Sequence, residues 1–246
     1  MCYFIKRTQK CTKLFINHYL GKKCMNKFVE KILSIPKSLY VCIKLLPLGQ
    51  AIKLPIFVRY NCHIVSLKGS VKLENKVKSR MLNVGFGKLG IFDKTYQRSI
   101  IQIDGVLVLK GNYTNFGQGA KICIMNKGIL SIGKNFNNSG EIQIVCYKKI
   151  DIKDNVLISW NTLIMDTDFH QTINIKNNIS NDKDGIVTIG NNVWMGARST
   201  ILKNSFIPNG CIIAANACCN KKYEEENCLL AGIPAKIHKR NITRKN

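Results

Sequence analysis

One histidine in the second half of the chain has neighbours suited to general-base chemistry. His170 is one of four histidines, and Asp166 and Asp168 precede it at every second position. In an extended segment these three side chains lie on one face. A carboxylate on that face can orient the imidazole, which leaves the other ring nitrogen to take a proton from an attacking hydroxyl group. The pattern predicts a catalytic His170 oriented by Asp168 or by a backbone carbonyl.

The same residue types disfavour metal chemistry. A catalytic zinc with three histidine ligands needs histidines that the fold can bring together. His63 and His238 are far from His170 in the sequence, and the eleven cysteines include no Cys-x-x-Cys pair. We therefore expect no catalytic metal.

A six-residue repeat near the C-terminus predicts the element that must position His170. Large aliphatic residues recur at every sixth place, and a small residue follows four places after each one. The aliphatic positions are Ile189, Met195, Ile201, Ile207 and Ile213, and the small ones are Val193, Ser199, Ser205, Cys211 and Ala217. Neither an α-helix nor a strand has this period. It is typical of stacked triangular coils that bury an aliphatic column and share backbone hydrogen bonds.

Breaks in the repeat indicate loops and the limits of the domain. Residues 171–185 are polar and read as an excursion loop that leaves the coil directly after His170. Loops on a rigid stack often carry the functional residues. We divide the chain into a basic, partly helical N-terminal segment at 1–60, a coiled domain at 61–240 and a basic tail at 241–246.

The charge of the chain is strongly positive. Lys and Arg number 38 against 14 acidic residues, a net charge of +24, and residues 1–60 carry +11 of it with Glu30 as their only acid. This balance indicates either an anionic partner or a general bias toward Lys and Asn. The N-terminal segment is either a solvated cap on the main domain or a peripheral attachment to an anionic membrane. No arginine-rich block points to nucleic acid, which we do not expect as a partner.

The cysteines and the apolar runs bear on location. The number of cysteines is odd, and Cys123, Cys146 and Cys211 sit among β-branched residues as small buried groups do. Lysine and arginine interrupt every early apolar run, so we expect no secretory signal. No run of about 18 apolar residues is present, so we expect no membrane span. A reducing cytoplasm fits these features, with the protein either free or peripheral to the inner face of the membrane.

Four segments together resemble the hexapeptide-repeat acyltransferases, particularly the sugar O-acetyltransferases of bacterial surface polysaccharide synthesis. They are Ile158-Ser-Trp-Asn, Asp166-Thr-Asp-Phe-His170, Ile189-Gly-Asn-Asn-Val-Trp-Met-Gly196 and Ala231-Gly-Ile-Pro-Ala-Lys236. The resemblance covers roughly residues 100–240. It implies an all-β fold, a left-handed parallel β-helix with a basic, partly helical N-terminal segment. It also implies that His170 is the general base and that acetyl-CoA is the acyl donor.

The resemblance implies a set of donor contacts as well. Ala197 and Ala215 match backbone contacts to the pantetheine arm of coenzyme A, and Asn220 and Lys221 match contacts further along it. The two cationic positions near the nucleotide end match Lys236 and Lys239, for which simple solvation is the alternative. The chain departs from the family pattern after Ala215, where Asn216-Ala217 replaces Gly-Ser, and at Asn220, where Thr is common.

Other implied contacts concern the acceptor and a second subunit. Trp194 follows the inward Val193 and should face outward, either beside the acyl-CoA channel or in a subunit interface. In this family the sites form between neighbouring subunits, so a homotrimer is implied. Asn138 or Ser139 matches a polar group beside the acceptor hydroxyl or the oxyanion, and Asp166 lies on the acceptor side of the histidine.

These features predict direct transfer of an acetyl group from acetyl-CoA to a sugar hydroxyl, with no covalent enzyme intermediate. A first alternative is an N-acetyltransferase that acts on an amino sugar with the same base. A second alternative is a non-catalytic β-helix that binds an anionic polymer or a membrane, and it predicts strongly salt-dependent binding.

Overall fold

The computed structural model describes residues 27–87, 89–93 and 96–245. The predictions for residues 1–26, the first part of the basic N-terminal segment, lie outside the described residues. Helix α1 spans Lys27–Leu45 and helix α2 spans Leu48–Ala51. The strands, in chain order, are β1 (Ile56–Val58), β2 (His63–Ser66), β3 (Ser70–Leu73), β4 (Leu82–Val84), β5 (Ile100–Ile103), β6 (Val106–Leu109), β7 (Thr114–Phe116), β8 (Lys121–Ile124), β9 (Ile129–Ile132), β10 (Phe136–Asn138), β11 (Gln143–Cys146), β12 (Lys149–Ile152), β13 (Leu157–Ile158), β14 (Leu163–Met165), β15 (Ile173–Asn174), β16 (Ile179–Ser180), β17 (Ile186–Ile189), β18 (Trp194–Met195), β19 (Thr200–Ile201), β20 (Phe206–Ile207), β21 (Ile212–Ile213), β22 (Cys218–Cys219), β23 (Leu229–Gly232) and β24 (Ala235–Lys239).

All strands but β15 and β16 stack into three sheets that form the faces of a prism, and every pair in them is parallel except β23 with β24. Sheet A has the order β1-β4-β7-β10-β13-β18-β21-β23-β24, sheet B the order β2-β5-β8-β11-β14-β19-β22, and sheet C the order β3-β6-β9-β12-β17-β20. The chain therefore visits A, B and C in turn, and each circuit is one coil. We number the coils 1 to 8 by their sheet A strands from β1 to β23. The predicted fold class, a left-handed parallel β-helix with a helical N-terminal segment, is confirmed.

The register confirms the six-residue period near the C-terminus. Trp194 lies opposite Ile212 and Thr200 lies opposite Cys218, so one turn takes 18 residues, or three six-residue units. The five predicted aliphatic positions are all fully buried: Ile189, Met195, Ile201, Ile207 and Ile213. They line one interior column with the inward residues of the earlier coils, whose burial is the main stabilising term of the fold.

Asparagines turn the chain at the corners between sheets. At the corner from C to A, an asparagine one or two residues before the sheet A strand has a positive φ in several coils, as at Asn135, Asn155, Asn192 and Asn227. Asparagine enters this left-handed region more readily than other residues with a side chain. Amides also bond along the stack, because Asn135 Nδ2 donates to Asn155 Oδ1 at 2.9 Å. Corner geometry is therefore one structural reason for the asparagine-rich composition.

The prism is modified at its start and in coil 5. Helix α1 packs along β1, which has a strand neighbour on one side only. β1 itself lies at Ile56–Val58, inside the range that the sequence assigned to the N-terminal segment. In coil 5 the predicted excursion loop is present as a projecting antiparallel hairpin of β15 and β16, between sheets B and C.

Candidate active site

His170 lies where the excursion loop leaves the corner between sheets B and C. It follows β14 and is exposed to solvent, and none of the described residues hydrogen-bonds its imidazole. The turn before it is fixed by Thr167, whose Oγ1 donates to Asp184 Oδ1 at 2.6 Å and accepts the Phe169 N–H at 3.0 Å. Phe169 itself has a positive φ of 61°. The loop base therefore holds the histidine backbone in place and leaves both ring nitrogens accessible.

The carboxylate of Asp166 is turned inward and belongs to the scaffold. It is fully buried and accepts the backbone N–H groups of Tyr147, Lys148 and Lys149 at 2.7, 2.8 and 2.6 Å. Burial raises the pKa of this carboxyl, and the three N–H groups oppose that shift. Asp166 thus ties the root of the loop to the coil below it.

Asp168 points away from the interior and pairs with a lysine of the next coil. Its Oδ2 lies 2.7 Å from Lys203 Nζ, which also donates to the backbone carbonyl of Asp182 on the returning arm of the loop. The expectation that Asp166, Asp168 and His170 share one face is wrong. The segment is not extended, because the left-handed Phe169 turns the backbone between the second carboxylate and the histidine.

The residues predicted to contact the arm of coenzyme A line a different corner, between sheets A and B. Ala197 and Ala215 stack there in coils 6 and 7, and the Asn216 N–H donates to the Ala197 carbonyl at 3.0 Å. Their small side chains leave the backbone of this corner accessible. Trp194 projects from the neighbouring sheet A strand with 37% of its surface exposed, so it faces outward as predicted.

The remaining predicted donor residues fall into two places. Asn220 and Lys221 are exposed at the corner between sheets B and C, above the loop of His170. Lys236 and Lys239 are exposed on β24, the last strand of sheet A, which pairs antiparallel with β23. Within one chain, therefore, the structure groups Asn220 and Lys221 with His170 and separates them from the alanines, the tryptophan and the two C-terminal lysines.

Asn138 and Ser139 line a cavity of about 700 Å³ between α1 and sheet A. The Asn138 amide is buried and committed, since its Nδ2 donates to the Ser159 carbonyl at 2.9 Å and its Oδ1 accepts the Gly117 N–H at 3.2 Å. The Ser139 hydroxyl at the cavity edge has no hydrogen-bond partner among the described residues. Of the two, Ser139 is therefore the one available to a ligand.

The cavity also contains groups that the sequence reasoning missed. Three outward asparagines of consecutive sheet A strands, Asn83, Asn115 and Asn137, lie side by side in the register. They come from coils 2, 3 and 4, whose unequal lengths hide the spacing in the sequence, so no periodic signal could have found them. Arg80 stands beside them with a positive φ of 59°, a conformation that often marks a functional position.

Arg80 is held rigidly with its charge directed at the cavity. Its Nε donates to Asn83 Oδ1 at 3.0 Å, and its Cζ lies 4.6 Å from the centre of the Phe57 ring. Lys27 and Lys31 of α1 line the same space. The single acid there, Glu30, forms an ion pair of 2.5 Å with Arg59. The cavity is therefore positively charged, with amides in fixed positions.

The cavity beside Ser139, the loop of His170 and the corner with the two alanines follow one another along the prism axis. Ser139 lies at the A–B corner in coil 4, and the corner continues through coil 5 to Ala197 and Ala215 in coils 6 and 7. His170 leaves the prism at the height of coil 5, between these levels, but at the B–C corner. Among the described residues, no group of three or more His, Cys, Asp or Glu could hold a metal ion.

Comparison with known proteins gives relatives in Escherichia coli and Klebsiella pneumoniae. No protein-family model matches the chain. It is 27% identical over 148 residues, 57% of its length, to the Escherichia coli K12 protein named "Putative lipopolysaccharide biosynthesis O-acetyl transferase WbbJ", of which the match covers 74%. It is 37% identical over 103 residues to an "Uncharacterized 24.8 kDa protein in cps region" of Klebsiella pneumoniae, 42% of this chain and 45% of that protein. The crystal structure of the polysialic acid O-acetyltransferase OatWY aligns over 76% of this chain and 88% of its own, at 26% identity with a TM-score of 0.44.

The coiled fold and the matched motifs are similar to those of the hexapeptide-repeat acyltransferases, the family that the motifs predicted. The resemblance predicted from the motifs is thus confirmed by the E. coli relative. More particularly, the chain is similar to the E. coli protein named as a putative O-acetyltransferase of lipopolysaccharide biosynthesis. Within the described residues, no helix is long and apolar enough to cross a membrane.

Proposed function

We propose that this protein transfers an acetyl group from acetyl-CoA to a sugar hydroxyl in the synthesis of a bacterial surface polysaccharide. The observation that carries the proposal is the placement of His170, the exposed base at the root of the excursion loop, at the axial height between a positively charged cavity and a corner of small residues. The E. coli relative, named as a lipopolysaccharide O-acetyltransferase, supports the direction of this assignment.

The site is completed by a second copy of the chain in a homotrimer. If three prisms pack side by side around a common axis, the B–C corner of one subunit can face the A–B corner of the next at equal height. His170 of one subunit then lies between two groups of the neighbouring subunit. Ser139 is below it, and Ala197 and Ala215 are above it. This arrangement accounts for predicted site residues that lie on different corners of one chain.

In this site the imidazole of His170 takes the proton of the acceptor hydroxyl as its oxygen attacks the thioester carbonyl. The tetrahedral oxyanion collapses, the carbon–sulfur bond breaks, and the imidazolium returns the proton to the leaving thiolate of coenzyme A. The Ser139 hydroxyl is the described side-chain donor placed to stabilise either the oxyanion or the acceptor. Asp168 acts on the loop through Lys203 and so positions the histidine.

The donor contacts follow the same corner. Backbone groups beside Ala197 and Ala215 can pair with the amides of the pantetheine arm because no large side chain covers them. Trp194 flanks this channel. Asn220 and Lys221 contact the pantetheine arm from the B–C corner. Lys236 and Lys239 lie toward the phosphates of the nucleotide. The cavity with Arg80 takes the acceptor, and its positive charge favours a sugar that carries an acidic group.

The decisive experiment replaces the base. His170→Ala should lower kcat by about 10²–10⁴-fold while the trimer and the binding of acetyl-CoA remain unchanged. His63→Ala, which removes another exposed histidine on β2, is the matched control and should keep full activity. Labelled acetyl-CoA with a panel of sugars and amino sugars measures both transfer and its target. Unchanged turnover in His170→Ala would remove this residue from the mechanism, and transfer to amines alone would replace the hydroxyl acceptor.

A further inference from the structure

Helix α1 exposes more large apolar side chains than it buries. The face that packs against β1 carries the fully buried Ser34 and Ser38, followed by the buried apolar residues Val41, Cys42 and Leu45. Ser38 Oγ accepts the Val58 N–H at 3.0 Å, and Ser34 Oγ accepts the Tyr60 N–H at 3.0 Å. These hydroxyls therefore satisfy backbone groups at the open edge of sheet A, a task that an aliphatic face could not perform.

The opposite face of α1 carries the large apolar side chains and leaves them in solvent. They recur every three or four residues along one stripe, and a second stripe lies beside it. The exposed members are Phe28, Val29, Ile32, Leu33, Ile35, Leu39, Tyr40 and Ile43, and α2 and the residue after it continue the surface with Leu48 and Ile52. We call this surface the α1 face. A helix on a globular protein normally turns such a stripe inward, so this one requires a cover.

The charges around the α1 face point to a cover that is anionic. Lys44 and Lys53 are exposed at its edge. The one acid of this region, Glu30, is paired with Arg59 at 2.5 Å and adds no exposed negative charge. An apolar helical stripe bordered by lysines is the pattern of helices that lie in the surface of a membrane.

We propose that the α1 face docks the protein on an anionic lipid bilayer. Phe28 and Ile43 lie near opposite ends of this face, so the whole helix can lie flat in the interface. The helix packs against β1 of coil 1, and the loop of His170 leaves the prism four coils further along the axis. The loop that carries His170 is therefore remote from the docked helix. This inference does not depend on the acyltransferase activity.

Flotation of the full chain with vesicles tests the proposal. Vesicles with 30% phosphatidylglycerol in phosphatidylcholine should bind the wild type, and pure phosphatidylcholine should bind it far more weakly. Ile32→Gln with Ile43→Gln should reduce partitioning by at least about tenfold, since two half-exposed isoleucines no longer enter the lipid. Lys44→Gln with Lys53→Gln should reduce it by about fivefold per lysine at low salt.

The matched control removes apolar surface elsewhere. Val65→Thr with Ile129→Thr changes two residues that are 53% and 40% exposed on strands, against 49% and 51% for Ile32 and Ile43, and should leave flotation unchanged. Equal loss in the control pair would overturn the proposal. The proposal would also be overturned if the Ile32→Gln/Ile43→Gln variant still floats but light scattering shows a smaller oligomer. The α1 face would then be covered by a second copy of the chain. A variant that still floats but melts several degrees lower would instead identify residues 1–26 as the cover.

Discussion

Asp166 and Asp168 lie two positions apart in the sequence, yet their surroundings give them different tasks. Asp166 is buried with three backbone N–H groups on its carboxylate, whereas Asp168 is half exposed and pairs with Lys203 across the loop base. Neither carboxylate is hydrogen-bonded to His170 in the described chain. At this scale the chemistry depends on one imidazole and on the loop that presents it.

Asp166→Asn tests the scaffold role of the buried carboxylate. The amide can still accept from two of the three N–H groups, but its Nδ2 then meets the third donor and leaves it unpaired. We expect a loss of about 1–3 kcal/mol in the free energy of unfolding. Thermal melting should fall by about 2–12 °C for a chain of this length. A melting temperature equal to that of the wild type would mean that the three amides find other partners.

Asp168→Asn separates a positioning role from a direct one. The half-exposed pair with Lys203 is a weak interaction, so kcat should fall by less than about tenfold. Lys203→Gln should give a similar loss, and the double variant should be little worse than either single one. Steady-state kinetics with saturating acetyl-CoA measures all three. A loss in Asp168→Asn as large as that in His170→Ala would instead show that the carboxylate orients the imidazole.

The corners are the elements that give the coil its shape. A regular triangular turn needs one residue with a positive φ at its corners, and asparagine fills that place repeatedly, as at Asn155, Asn192 and Asn216. The corner amides also stack, because Asn191 Nδ2 donates to Asn209 Oδ1 at 3.1 Å. The coil thus takes its angle from local backbone preference and its cohesion from the sheets and the aliphatic column.

A substitution at Asn192 measures the contribution of one corner. Its φ is 59° and its side chain is exposed. Asn192→Ala therefore mainly places a residue that disfavours the left-handed region at a position that requires it. We expect a loss of about 1 kcal/mol, seen in denaturant unfolding. Asn192→Gly keeps the conformation without strain and should stay within about 0.5 kcal/mol of the wild type. Equal stability of the alanine and glycine variants would contradict the corner argument.

At the scale of the whole molecule, the predicted site is divided between corners. His170, Asn220 and Lys221 lie at the B–C corner, whereas Ala197 and Ala215 lie at the A–B corner. A prism is stiff, so these groups cannot meet by a local movement within one chain. In the proposed homotrimer, assembly brings these groups together from two subunits.

Mixed trimers test whether the active site is divided between two subunits. His170→Ala removes the base, and Ala215→Trp fills the donor corner at an exposed position without disturbing the core. Each variant alone should be inactive. When the two are refolded or expressed together in equal amounts, about a quarter of the sites combine an intact histidine with an intact corner from the neighbour, and activity should recover to about that level. Mixed trimers no more active than their parents would place the whole site within one chain.

The sequence alone determined the coil, the aliphatic column and the loop that carries His170. These follow from a strict period, because each six-residue unit from Ile189 to Ile213 repeats the same local choice of aliphatic, corner and turn residue. The period is clear only where the turns take 18 residues. In earlier coils the turns are longer, as between Thr114 and Phe136, and the sequence there predicted strands without their pairing.

Only the tertiary structure decided which residues meet. The asparagine ladder beside Arg80 is assembled from three coils of unequal length, and the two carboxylates before His170 are separated by one left-handed residue at Phe169. The outward direction of the large apolar stripe on α1 was decided in the same way, since the helix turns toward the edge of sheet A the face that carries Ser34 and Ser38 together with the buried Val41, Cys42 and Leu45. Spacing in the sequence fixes local conformation, but contacts between coils depend on turn lengths that act over the whole stack.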